Sequence, residues 1–168
     1  MAPALTAYNH LMPALLLAIL LALIQASPIK HLAIASSSSA KTATAGSKIS
    51  LYVDVTPKTG IYVYAPGAKD YLPIALKMNP TNGVTIGALT YPKSQTLTFE
   101  GDQIPVYDKP FRLVQDVTLD RSVEAGRSVT VTGTLNYQAC TNQVCFIPAS
   151  VPVTWTIAVS EKKDGSRP

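Results

Sequence analysis

Histidine is nearly missing from this chain: His10 and His31 are the only two, and both precede the region where strand patterning begins. With imidazole expected outside the folded domain, Ser/His/Asp and Cys/His nucleophile arrangements are excluded. Cysteine is as scarce. Cys140 and Cys145 are the sole pair, and two thiolates without histidine fall short of the four ligands a zinc site usually takes. Met78 is the one methionine in the domain region, better explained by core packing than by a copper site. Neither a metal nor another cofactor is expected, and no glycine-rich phosphate loop occurs. Charged residues make up only 14% of the chain. From Ser36 onward 13 basic residues face 10 acidic ones, scattered rather than clustered, a solvated surface with no stripe for nucleic acid.

What is present falls into two unlike parts. Apolar residues reach 47%, but much of the excess lies in one run, Leu11 to Ile24, broken only by Pro13. Fourteen residues are short for a bilayer-spanning helix, which needs about 20, so the run reads as a signal-peptide core, with an uncleaved anchor in the inner membrane as the alternative. Ala26 and the triplet Ala33-Ile34-Ala35 both offer small-residue cleavage points. Residues 1–26 are expected to be this leader, and 27–46, small and polar with the tract Ser36-Ser37-Ser38-Ser39, a flexible linker. Order is expected to begin at Ser47.

From there the pattern has period two. Ile49, Leu51, Val53 and Val55 alternate with polar neighbours, as do Phe111 to Leu119, Ser128 to Tyr137 and Val151 to Val159. Shorter strands are expected at Ile61–Tyr64, Pro73–Asn79 and Val84–Tyr91, and Pro92 to Pro110 reads as a long loop with at most a short pairing around Val106. Seven or so short strands, regular turn signals and no helical periodicity predict one all-β domain over residues 47–160, an immunoglobulin-like antiparallel β-sandwich, followed by a polar tail at 161–168.

The cysteines are too close in sequence to be an inter-sheet staple. Thr141-Asn142-Gln143-Val144 between them is polar enough to turn, bringing the thiols within bonding reach. Export would place them in an oxidising compartment, where an even count means a disulfide. A bridge closing about six residues restrains the unfolded chain by roughly 2 kcal/mol, against about 4 or more for one spanning most of a domain. Short accessible loops also hold bonds that exchange readily. Spacing and location leave a structural and a redox-active bond equally open.

Tyr137-Gln138-Ala139-Cys140, followed by Cys145 and Pro148, resembles the active-site hairpin of the N-terminal periplasmic domain of the thiol:disulfide interchange protein DsbD family. Gly60-Ile61-Tyr62-Val63-Tyr64-Ala65-Pro66 and Tyr91-Pro92 are similar to the same domain, so the likeness runs from about Gly46 to Ile157. The resemblance implies an immunoglobulin-like fold and a protein-disulfide reductase component that relays electrons in the periplasm. The donor would be a thioredoxin-like domain fed by a membrane electron carrier. The acceptors would be thioredoxin-like proteins, disulfide isomerases and those of cytochrome c maturation, engaged by transient mixed disulfides. Cys145 would bond the partner and Cys140 resolve it. Phe99, matched by its position ahead of Gly101 to the phenylalanine of the family's cap loop, would cover the disulfide, and Tyr62 and Tyr64 would line the site. Three departures stand out: Leu97-Thr98 replaces an acidic pair before the cap phenylalanine, Ile147-Pro148 replaces Pro-Pro, and one domain stands where the family has membrane and thioredoxin-like parts as well. The alternative is a non-catalytic immunoglobulin-like binding or structural domain whose disulfide pins a hairpin.

Overall fold

The computed structural model describes residues 31–162. The expected leader at 1–26 and the end of the tail lie outside them. The described chain is all strand: β1 (Leu32–Ser38), β2 (Thr42–Thr44), β3 (Lys48–Pro57), β4 (Tyr62–Tyr64), β5 (Ala75–Met78), β6 (Val84–Thr90), β7 (Gln95–Phe99), β8 (Asp102–Tyr107), β9 (Phe111–Leu119), β10 (Ser128–Tyr137), β11 (Ala139–Cys140) and β12 (Ala149–Ser160). They form three four-stranded sheets, ordered β1-β3-β9-β6, β2-β12-β10-β5 and β11-β4-β8-β7. Within these sheets every strand pair is antiparallel except β2 with β12. The fold is an immunoglobulin-like β-sandwich, as the alternating pattern predicts.

The core follows from that alternation. Ile49, Leu51, Val53 and Val55 of β3, Leu113, Val117 and Leu119 of β9, Val131 and Leu135 of β10, and Val153, Trp155 and Ile157 of β12 are all buried. Each such aliphatic side chain contributes about 1.5 to 3 kcal/mol on leaving water. Trp155 also joins two sheets, its Nε1 donating to the Tyr52 carbonyl at 3.1 Å. The polar interruption of the β9 row, Gln115, is buried too. It sits beside the register shift between Ile86 and Leu89 of β6, and its Nε2 donates to the carbonyls of Gly87, Ala88 and Asp116 at 2.9, 3.2 and 2.9 Å. A bulge leaves ladder carbonyls unpaired, and a buried amide satisfies them where an aliphatic residue would not.

Two expectations are corrected. The segment read as part of a flexible linker forms β1 and β2, so order begins well before Ser47. The serines bury little, which hid the strand, but an edge strand needs only a ladder partner. β3 supplies one along the whole of β1, from Leu32 opposite Pro57 to Ser38 opposite Leu51. Leu32, 1% exposed, anchors the start of that strand in the core. The expected loop from Pro92 to Pro110 contains the β7–β8 hairpin. Its turn is Glu100-Gly101, both at positive φ (50° and 90°) between the paired Phe99 and Asp102, the two-residue turn whose twist suits an antiparallel pair.

Candidate functional site

β10 runs from the sandwich core through Tyr137 directly into the cysteine hairpin. Ala139 and Cys140 of β11 pair with Val63 and Tyr62 of β4. The chain then reverses so that Cys145 stands directly opposite Cys140. The turn is closed by Thr141: its N–H donates to the Val144 carbonyl at 2.8 Å, and its Oγ1 accepts from the N–H groups of Gln143 and Val144 at 3.2 and 3.1 Å. A threonine hydroxyl here replaces a backbone acceptor, so a short polar sequence suffices to turn. On the outgoing side, the Phe146 N–H donates to the Ala139 carbonyl at 2.8 Å. The opposed cysteines form a disulfide with Cα atoms 4.0 Å apart.

The two sulfurs have different surroundings. Cys140 is 0% exposed, packed in a cluster with Tyr64, Ile104 and Val106, whereas Cys145 is exposed. Across a cleft of about 190 Å³ the 141–145 turn faces Tyr62, Tyr64, Tyr71, Leu97 and Phe99. Tyr64 is the centre of this aromatic wall, stacked on Tyr71 with centroids 4.2 Å apart and edge-on to Tyr62 at 5.6 Å. Its hydroxyl lies 3.7 Å from Cys145 Sγ. Burial, followed by the neighbouring Tyr62 hydroxyl, pushes the Tyr64 phenol well above its ordinary range, so it stays protonated and keeps a hydrogen to donate.

The residues named from the sequence therefore come together: Cys145, Tyr62, Tyr64 and Phe99 border one cleft, and Cys140 is buried in the Tyr64 cluster beside it. Phe99 ends β7 at the hairpin turn and is 47% exposed. Leu97, where an acidic residue was the family expectation, packs against the buried cluster. Among the described residues lining the cleft none is charged. Among the described residues, the Tyr64 hydroxyl is the polar side-chain group that approaches Cys145 Sγ.

Two residues were missed. Tyr71 lies in a loop without periodicity, next to Asp70 at positive φ (61°), and only its contact with Tyr64 identifies it. His31 was placed ahead of the domain, and that expectation is corrected. Its ring stacks on Phe146, the residue after Cys145, with centroids 3.9 Å apart and planes 16° apart. Pairing of β1 with β3 brings it there, a contact spanning most of the chain that no local pattern encodes.

The family model described as "Thiol:disulfide interchange protein DsbD, N-terminal" matches residues 32–156. Among solved structures, the N-terminal periplasmic domain of ScsB from Proteus mirabilis superposes with a TM-score of 0.56 at 15% identity, over 78% of this chain and 49% of that one. The chain thus spans about half of that structure, and the likeness is one of fold. The DsbD N-terminal domain of Neisseria meningitidis in the reduced form gives a TM-score of 0.48 at 18% identity, over 79% of this chain and 94% of that one. The comparison with curated protein sequences returns no match. With the family model covering β1 through most of β12, the chain belongs to the family of the N-terminal domain of the thiol:disulfide interchange protein DsbD.

Proposed function

We propose that this domain is an exported, periplasmic thiol:disulfide exchange module that passes two electrons at a time through Cys140 and Cys145 to thioredoxin-like proteins. The observation that carries the reading is the inequality of the sulfurs, one 0% exposed and the other at the surface of an aromatic cleft. Exchange needs one sulfur that a partner can reach and a second protected from it. A merely structural hairpin bond has no need of the difference.

In the reduced domain the Cys145 thiolate attacks a disulfide of the acceptor. The acceptor bond breaks, one acceptor sulfur leaves as a thiolate with the electron pair, and Cys145 holds the other in a mixed disulfide. Cys140 then loses its proton and attacks Cys145 Sγ. The Cys140–Cys145 bond forms, the acceptor departs as a dithiol, and two electrons have passed to it. A dithiol donor, a thioredoxin-like domain charged by a membrane electron carrier, restores the pair by the reverse steps. The Tyr64 O–H stabilises negative charge on Cys145 during attack and departure. Phe99 serves as a lid that the partner displaces. Residues 1–26 serve as the export leader or membrane anchor of this module. The acceptors belong to disulfide isomerisation and cytochrome c maturation.

Mixed-disulfide trapping tests the reading. Cys140→Ser leaves Cys145 free to capture a thioredoxin-like partner that cannot then be released, and Cys145→Ser captures far less. If neither variant captures such a partner and the wild-type bond resists thioredoxin-level reductants, the relay is refuted and the hairpin bond is structural.

A further inference from the structure

Of the four residues from Cys145 to Pro148 that lead from the exposed sulfur back to β12, only Phe146 is partly buried; Ile147 is 91% exposed. Phe146 is held three ways. Its N–H donates to the Ala139 carbonyl at 2.8 Å, its carbonyl accepts from Gln138 Nε2 at 3.1 Å, and its ring lies on that of His31. The first two contacts come from within the hairpin and move with it. The third comes from outside. His31 is itself fixed, its carbonyl accepting from the Lys58 N–H at 3.0 Å and the adjacent Leu32 buried opposite Pro57. The His31 ring therefore ties the arm bearing Cys145 to the sandwich.

This matters most when the Cys140–Cys145 bond is open. With the covalent link gone, the hairpin's outgoing arm is free to swing unless something else holds it. Return attack by buried Cys140 depends on how often Cys145 Sγ lies within reach, an effective concentration set by orientation. We infer that His31 is a positioning residue for thiol exchange: by stacking on Phe146 it keeps Cys145 opposite Cys140 in the dithiol and mixed-disulfide states, favouring closure of the disulfide. The inference rests on the exchange reading for its biological use but not for its test, which needs only small thiols.

The test compares wild type, His31→Ala and His31→Phe. Equilibration with a dithiol such as dithiothreitol measures how readily the Cys140–Cys145 bond forms: the dithiol is oxidised to its cyclic disulfide as the protein bond is reduced. Reaction of the reduced domain with an aryl disulfide measures the rate of closure. There Cys145 first displaces one aryl thiolate, and Cys140 then displaces the second as the protein disulfide forms. An aromatic stack is expected to change the equilibrium and the second phase by about two- to tenfold in the alanine variant; a tenfold change equals about 30 mV. His31→Phe, which preserves the stack, is expected to lie within about twofold of wild type by the same estimate. Should His31→Ala fail to fold, Phe146→Leu, which keeps the apolar contact and removes the ring, is expected to give the same shift. An alanine or leucine variant with unchanged equilibrium and second phase overturns the inference, as does a phenylalanine variant that behaves like alanine. A shift here together with failed partner trapping would refute the relay while leaving the clamp in place.

Discussion

Single-thiol variants turn the inequality of the two sulfurs into a rate. In Cys140→Ser the remaining thiol is the exposed Cys145; in Cys145→Ser it is Cys140, at 0% exposure. For a reagent to meet Cys140, the hairpin has to lift from β4, giving up the pairing of Ala139 and Cys140 with Val63 and Tyr62. That backbone pairing contributes about 1 to 2 kcal/mol net, and re-exposing two small buried side chains costs about as much again. Local opening thus costs about 2 to 4 kcal/mol, and when reclosing is faster than reaction the rate is proportional to the open fraction. Cys140 is expected to alkylate about 30- to 1,000-fold more slowly than Cys145, at about 1.4 kcal/mol per factor of ten. The assay is a time course with iodoacetamide followed by intact mass. It is repeated at several pH values because the thiolate is the reacting form, and again in denaturant, where the two variants should converge. A folded-state ratio below about threefold at every pH would refute the reasoning, because the opening cost above sets a floor near 30-fold.

Tyr64→Phe removes the hydroxyl 3.7 Å from Cys145 Sγ. Because burial keeps that phenol protonated through the range in which a thiol ionises, losing the donor is expected to slow alkylation of Cys145 roughly tenfold at neutral pH, one hydrogen bond to the charged sulfur being lost. The pH profile of alkylation in the Cys140→Ser background measures it, and an unmoved profile removes Tyr64 from the chemistry. Phe99→Ala strips the tip of the β7–β8 hairpin from the cleft. As the ring is already about half exposed (47%), reduction by dithiothreitol is expected to speed up only about two- to fivefold. An unchanged rate in the folded variant would deny Phe99 a shielding role.

The cysteine hairpin shows how far local reading reaches. Cys140 and Cys145 lie close enough that a polar turn alone brings them together, and Thr141 at its corner is a local device, so the bond was legible without a fold. The tyrosines of β4 were legible only through family likeness. Tyr62 and Tyr64 sit two apart, as on any strand, and nothing local says that Cys140 packs beside them. The β7–β8 hairpin does not show in the pattern because Glu100 occupies a positive-φ position where asparagine or aspartate would signal a turn. β1 was missed for a different reason. Its stability is a matter of backbone pairing with β3, and backbone pairing leaves almost no mark on side-chain composition.

The chain's own pattern determined the sandwich, since period-two alternation specifies which face of each strand leaves water, and a register slip would turn the whole apolar set outward. It placed the two thiols side by side in one hairpin as well. Only the tertiary structure decided which sulfur is reachable, what stands over it and what holds its strand. Those depend on β4, the β7–β8 hairpin and the residue before β1 converging on the hairpin from distant parts of the chain. Burial is a property of such convergence, and no single segment carries it.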